Sequence, residues 1–158
     1  MKPRLEYFPK ANELMQAVLA LNKAVEESGL ERSLLHLLKL RASQINRCSY
    51  CVDMHAREAR EEGESEQRLY LVAAWKESPL FTHRERAAFA WVEAVTLISQ
   101  GGVSDEMYAA TLKHFSEEEL VKLTVAVAVI NTWNRLSASF RTIHPIRTAE
   151  ARKMGVAC

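Results

Sequence analysis

The sequence predicts an all-α fold, a single domain over residues 1–158 arranged as a bundle of about six to eight helices. Three observations lead there. Apolar residues recur at helical spacing along most of the chain, Ser and Thr stand where helix N-caps belong, and glycines follow the ends of the periodic runs. At 158 residues and 48% hydrophobic content the chain can close one sizeable core without a second domain.

The elements follow in order. Residues 11–28 carry apolar positions at helical spacing and end at Gly29, suited to the left-handed turn after a helix. A second helix over residues 31–44 presents Leu34, Leu35, Leu37, Leu38, Ala42 and Ile45 on a wide apolar arc. Asn46 offers a break, and a third helix runs to Glu62 and stops at Gly63, with Cys48 and Cys51 in its first two turns. Residues 65–76 form a short helix, and Pro79 sits in the connection that follows. Thr82 and Glu85 have capping-box spacing, which predicts a helix over residues 83–99 closed by Gly101 and Gly102. Ser104 caps a helix to Phe115, and Ser116 with Glu119 opens a long apolar helix that should be central. Residues 124–130 also fit a strand, because valines alternate with small residues, but the cap and the length favour helix. The region after Phe140 reads as an irregular tail ending in a short helix near Ala149.

Composition removes several functions. A formal net charge of +1, from 21 basic and 20 acidic residues, leaves no electrostatic footprint for nucleic acid or an anionic membrane. The opening MKPRLEYFPK lacks an apolar stretch of signal-peptide length, and no apolar run reaches the length of a bilayer span. The expectation is a cytoplasmic protein. Three cysteines are an odd count for a disulfide framework, and Cys158 at the terminus reads as incidental.

The segment CSYCVDMH, Cys48 to His55, carries the chemistry. On a helix Cys48 and Cys51 have α-carbons about 5 Å apart, within the range a disulfide tolerates. His55 falls one turn beyond Cys51 on the same face, where an imidazole can exchange a proton with the sulfur. Unpaired backbone N–H groups at the helix start favour a thiolate, so at least one thiol should have a lowered pKa.

Read through the cysteines, the stretch LLHLLKLRASQINRCSYCVDMHAREAREEG resembles the active-site segment of the AhpD-like alkylhydroperoxidases of the carboxymuconolactone decarboxylase superfamily. AAWKESPLFTHRERAAFAWVEAVTLIS and VAVAVINTWNRLSASF resemble that group as well, so the likeness covers most of residues 10–142. The resemblance implies an all-helical, AhpD-like fold assembling as homo-oligomers (trimers or hexamers). It implies a peroxiredoxin-like peroxidase without a bound cofactor, an oxidoreductase that reduces organic or hydrogen peroxide through a dithiol/disulfide cycle. It also implies a lipoyl-type or thioredoxin-type dithiol reductant. Cys51 would attack the peroxide, Cys48 would resolve, and His55 would handle the proton. The chain departs from the pattern at two positions. The family glutamate twelve residues before the first cysteine is here His36, which can carry protons but not the same negative charge, and Tyr50 stands where some family peroxidases have histidine.

Other readings stay open. His36, Cys48, Cys51 and His55 are four plausible zinc ligands, although a structural zinc usually supports a smaller, loop-rich fold. A lactone-processing enzyme of the superfamily would not need two thiols, and an oxidant sensor would share the disulfide but turn over slowly. Glu93, in an apolar stretch, needs a partner if buried; Arg41 or a relay histidine would let it stand in part for the missing glutamate. Trp75, Trp91 and Trp133 read as packing residues, and His83, His114 and His144 as surface or capping groups. The run Arg57–Glu62 reads as a solvated face with i,i+3 and i,i+4 pairs, and Asn131, Trp133, Asn134 and Arg135 as structural or interfacial.

Overall fold

Seven α-helices and three short 3-10 turns, with no strand, make up the described residues of the computed structural model, residues 1–147. Cys158 and the short helix expected near Ala149 lie outside the described residues. The helices are α1 (Asn12–Glu26), α2 (Arg32–Ile45), α3 (Ser49–Glu61), α4 (Glu66–Leu71), α5 (His83–Thr96), α6 (Asp105–Leu112) and α7 (Glu117–Phe140).

The caps read from sequence are in place. Thr82 with Glu85, and Ser116 with Glu119, form reciprocal capping boxes at the starts of α5 and α7, and the Ser104 hydroxyl accepts the Met107 N–H at the start of α6. The cap and the continuous backbone ladder settle residues 124–130 as helix within α7. Two expected helices are shorter than their apolar patterns. The chain tightens into 3-10 turns at Val72–Ala74 after α4 and at Ile98–Gln100 after α5. The first of these turns Trp75 inward, 7% exposed, onto Phe89.

α2 and α7 share the centre. α2 packs on α3, α5 and α7, and α7 on α1, α2, α3, α5 and α6. A helix enclosed on so many sides must be apolar nearly all round, and the α2 run from Leu34 to Leu40 is buried without interruption. Its Leu34, Leu35, Leu38 and Ala42 join Leu123, Val127 and Ile130 of α7 in one apolar cluster, while Leu37 and Leu40 join Val72, Phe81 and Phe89 in a second. That run also includes His36 and Lys39, which the apolar clusters do not explain.

A buried polar seam fixes the α2–α3 turn against α7. The Asn46 side-chain amide donates to both Asn131 Oδ1 and Asn134 Oδ1, each at 2.9 Å, and Asn134 donates to Ser43 Oγ at 3.0 Å. Asn131 in turn donates to Thr96 Oγ1 and the Val127 carbonyl. Every amide here has its partners, so the seam orders the turn rather than straining it. Asn131 and Asn134 thus tie the α2–α3 turn to α7. No helix among the described residues is long and apolar enough to cross a membrane.

Candidate active site

Only Asn46 and Arg47 separate α2 from the N-cap of α3, and that N-cap is Cys48 itself. Arg47 adopts a left-handed conformation (φ 55°), its N–H bonding the Gln44 carbonyl at 3.2 Å and the Cys48 N–H the Ser43 carbonyl at 3.0 Å. This reverses the chain within two residues. Cys48 then does what Ser or Asp does at other helix starts: its sulfur accepts the Cys51 N–H at 3.4 Å. Cys48 and Cys51 are joined as a disulfide with α-carbons 5.4 Å apart, close to the separation expected from helical spacing. Both are buried, at 2% and 1% exposure.

Two buried histidines lie further along α2 and α3. His55, one turn past Cys51, is buried, and its Nδ1 is 3.1 Å from Glu58 Oε2 on the same helix. His36, on α2, is also buried, and its Nε2 is 3.1 Å from Glu62 Oε2 at the end of α3. Each imidazole is thus tied to a carboxylate through one nitrogen. Its other nitrogen, Nε2 of His55 and Nδ1 of His36, is buried with no hydrogen-bond partner. In a neutral ring whose bound nitrogen donates to the carboxylate, the second nitrogen is a lone pair able to take a proton.

Burial pushes the His55 pKa down, and the charges of Lys39 and His36 act in the same direction; the Glu58 carboxylate opposes them without prevailing. The Glu58 carboxyl is held low chiefly by His55. That of Glu62 is held down to about 2 by the Arg32 guanidinium, at 3.0 Å, and then by His36. The cation Lys39 is 4% exposed and is paired with Glu26.

Sequence reasoning placed the two cysteines and His55 but missed both carboxylates, having assigned Glu58 and Glu62 to a solvated face. Arg57 and Glu61 do form such a pair. The signal for Glu58 was its i,i+3 spacing from His55, whereas Glu62 meets His36 only through the packing of α2 on α3. Glu93 does pair with Arg41, at 2.7 Å, but its other bonds go to Trp75 Nε1 (2.7 Å) and Lys76 (3.0 Å), with none to either histidine. Burial would raise its carboxyl, yet the bonds from Trp75, Lys76 and Arg41 hold it low. It joins α2 to α5 and to Trp75, with Arg41 the expected partner that it meets.

The four groups weighed as zinc ligands do not form a ligand set. Among the described residues no cluster of three or more His, Cys, Asp or Glu side chains is placed to hold a metal ion. His83 and His114 stack on one another, with ring centroids 6.3 Å apart.

Cys48 forms part of the wall of a cleft of about 760 Å3 that Arg47, Tyr50, Arg141 and Arg147 also line. Cys51 is absent from that wall.

Comparison with known proteins accords with this arrangement. The carboxymuconolactone decarboxylase family profile matches residues 12–94. The uncharacterized protein YdfG of Bacillus subtilis (strain 168) is 39% identical over 137 residues, covering 87% of this chain and 93% of the relative. A protein of unknown function from Agrobacterium tumefaciens, suggested to be the antioxidant defence protein AhpD, superposes with a TM-score of 0.90. It is 49% identical, over 92% of this chain and all of that one. An uncharacterized peroxidase-related protein from Ralstonia eutropha JMP134, described as an alkylhydroperoxidase AhpD core, superposes with a TM-score of 0.78 over 90% of this chain and 77% of that one. At 20% identity it speaks for the fold alone. The chain belongs to the carboxymuconolactone decarboxylase family and has the AhpD-like fold.

Proposed function

We propose that the protein is a thiol-dependent peroxidase that reduces organic hydroperoxides or hydrogen peroxide by cycling Cys48 and Cys51 between dithiol and disulfide. The observation that carries the reading is the pairing of two sulfurs across the first turn of α3 with a buried, unpartnered imidazole nitrogen one turn further on.

In the reduced protein, His55 Nε2 takes the Cys51 proton, and the helix N-terminus favours the resulting thiolate. The thiolate attacks the outer oxygen of the hydroperoxide and the O–O bond breaks. The departing alkoxide recovers the proton from the imidazolium, leaving an alcohol and a Cys51 sulfenic acid. The Cys48 thiol condenses with it, forming the disulfide and releasing water. An external dithiol of lipoyl or thioredoxin type then restores both thiols by exchange.

In this reading Glu58 fixes the His55 tautomer, and His36 with Glu62 forms a second relay pair in place of the family glutamate. A homo-oligomer, trimer or hexamer, in a reducing cytoplasmic compartment completes it. The test is consumption of an organic hydroperoxide by wild type, Cys48→Ser and Cys51→Ser with each type of donor. Turnover should require both cysteines, and single variants matching wild type would end the proposal.

A further inference from the structure

Among the described residues four α-helices are followed by a residue with positive φ, and these turns divide into two kinds. α1 and α3 are followed by Gly29 (φ 90°) and Gly63 (φ 98°), the residue for which such a conformation costs least. α2 and α7 end on Arg47 (φ 55°) and Arg141 (φ 56°), which among the described residues are the only non-glycines with positive φ. The reversal after α2 matches the one after α3. Gly63 N–H bonds the Arg60 carbonyl and Glu64 N–H that of Ala59, just as Arg47 and Cys48 bond Gln44 and Ser43, and Thr142 N–H bonds the Ser137 carbonyl after α7. Nothing in the turn geometry calls for a side chain, yet two carry guanidinium groups at a backbone position that disfavours them.

Both arginines line the cleft that Cys48 borders. Neither side chain has a hydrogen bond or ion pair among the described residues, and both are exposed. The third arginine there, Arg147, is bonded to Asp53 at 2.9 Å, so Asp53, the acidic group on the wall, is already engaged. The rest of the wall is largely apolar, with Ala138, Ile143, Pro145 and Ile146. A cleft with apolar walls and two uncommitted guanidinium groups matches a short hydrocarbon ending in a carboxylate.

We infer that this cleft binds the reductant, and that the reductant is a carboxylate-bearing dithiol held by Arg47 and Arg141 for attack on Cys48. The inference rests on the redox reading of Cys48 and Cys51, and it assigns the cleft to reduction because the cleft borders Cys48 and not Cys51. The reductant's first thiolate bonds to Cys48 Sγ, the Cys48–Cys51 bond breaks, and its electron pair leaves on Cys51, which takes a proton. The second thiolate attacks the reductant's own sulfur in the mixed disulfide, closing a cyclic disulfide and releasing Cys48 as thiolate. The dithiol loses two electrons and the protein disulfide gains them.

The test is the reductive half-reaction alone, with no peroxide present. The oxidised full-length protein is mixed rapidly with dihydrolipoate or with its neutral amide at low salt, and each rate is normalised to the same reagent acting on a small unrelated disulfide. The carboxylate should react at least about tenfold faster, the effect of a charge-assisted bond in a partly desolvated site. Arg47→Gly/Arg141→Gly is compatible with the left-handed backbone; it should abolish that preference, bringing the carboxylate-to-amide rate ratio to about one. Equal wild-type rates, or a preference that survives in the double variant, would overturn the inference. A second arm oxidises the reduced protein with linoleic acid hydroperoxide or its methyl ester, and a charge preference confined to this arm would also overturn it. Because reduction is read without peroxide, a protein that lacks peroxidase turnover yet keeps the Arg-dependent preference would refute the peroxidase reading and leave the cleft assignment standing.

Discussion

The two sides of the Cys48–Cys51 turn are built on opposite principles. Inward, toward α2, the polar groups are buried and committed: His55 to Glu58, His36 to Glu62, Lys39 to Glu26. Of these groups, one nitrogen on each imidazole is left without a hydrogen-bond partner among the described residues. Outward, toward the end of α7, Arg47 and Arg141 are exposed around an open cleft, with no hydrogen bond or ion pair from their side chains among the described residues. Fixed, desolvated groups suit proton transfer, where geometry and basicity must be set beforehand. Mobile cations at a cleft suit recognition of a diffusing anion. The same two-residue turn serves both because Cys48 is a helix cap with one flank on each side.

The largest effect should come from breaking the turn's own chemistry. Cys51→Ser is expected to lower peroxide turnover by at least about a thousandfold, since Cys51 is the attacking sulfur of the proposed cycle. Stopped-flow peroxide consumption reads it directly. His55→Gln comes next, with a loss of about a hundredfold from removal of the general base. The same change at His36 should cost less, because His36 lies on the neighbouring helix.

Glu58→Gln sharpens the comparison. The amide can still accept from His55 Nδ1, so the rate should fall only about tenfold, but the pH profile should move. Burial already holds His55 low, so the acid limb of kcat/KM in wild type lies below the ordinary imidazole value of about 6.5. Losing the Glu58 charge, the one influence raising that pKa, shifts the limb further down. A merely structural glutamate would leave the limb where it was.

How much of this was legible in the sequence differs between the two sides as well. Capping boxes at Thr82 and Ser116, apolar spacing and the glycines after α1 and α3 gave the helix order, because each is a local signal. The 3-10 turn at Val72–Ala74 was not legible, since it goes with the tertiary seating of Trp75 on Phe89. Cys48, Cys51 and His55 could be read from spacing on one helix. His36 could be singled out, but its partner Glu62 could not, because 26 residues of chain are folded back to bring them together. Glu58 was within reach and was lost to the bland reading of a charged helix face. Arg47 and Arg141 carry no sequence signal, since neither the left-handed turn nor the shared cleft exists until α2, α3 and α7 pack.

Smaller effects should separate positioning from chemistry. Asn134→Ala removes one acceptor of Asn46 and the donor to Ser43, and should cost roughly 1–3 kcal/mol in denaturant unfolding, with a lower turnover that follows the loosened turn. Acid stability offers the mildest probe. The Glu62 carboxyl is depressed to about 2, so the stabilisation it contributes is complete above the ordinary carboxylate range and is lost as pH falls toward 2. His55, also depressed, contributes stability above the ordinary imidazole range that declines as pH falls through it. Glu62→Gln should therefore flatten the acid side of the stability curve while leaving the step attributable to His55.

Identifying the sulfur that meets the peroxide tests the central claim most directly. Reduced Cys48→Ser, treated with one equivalent of hydroperoxide and a sulfenic-acid trap, should carry the adduct on Cys51 by mass spectrometry, and His55→Gln in that background should slow its formation about a hundredfold. An adduct absent from Cys51, or formed there just as fast without His55, would contradict the account.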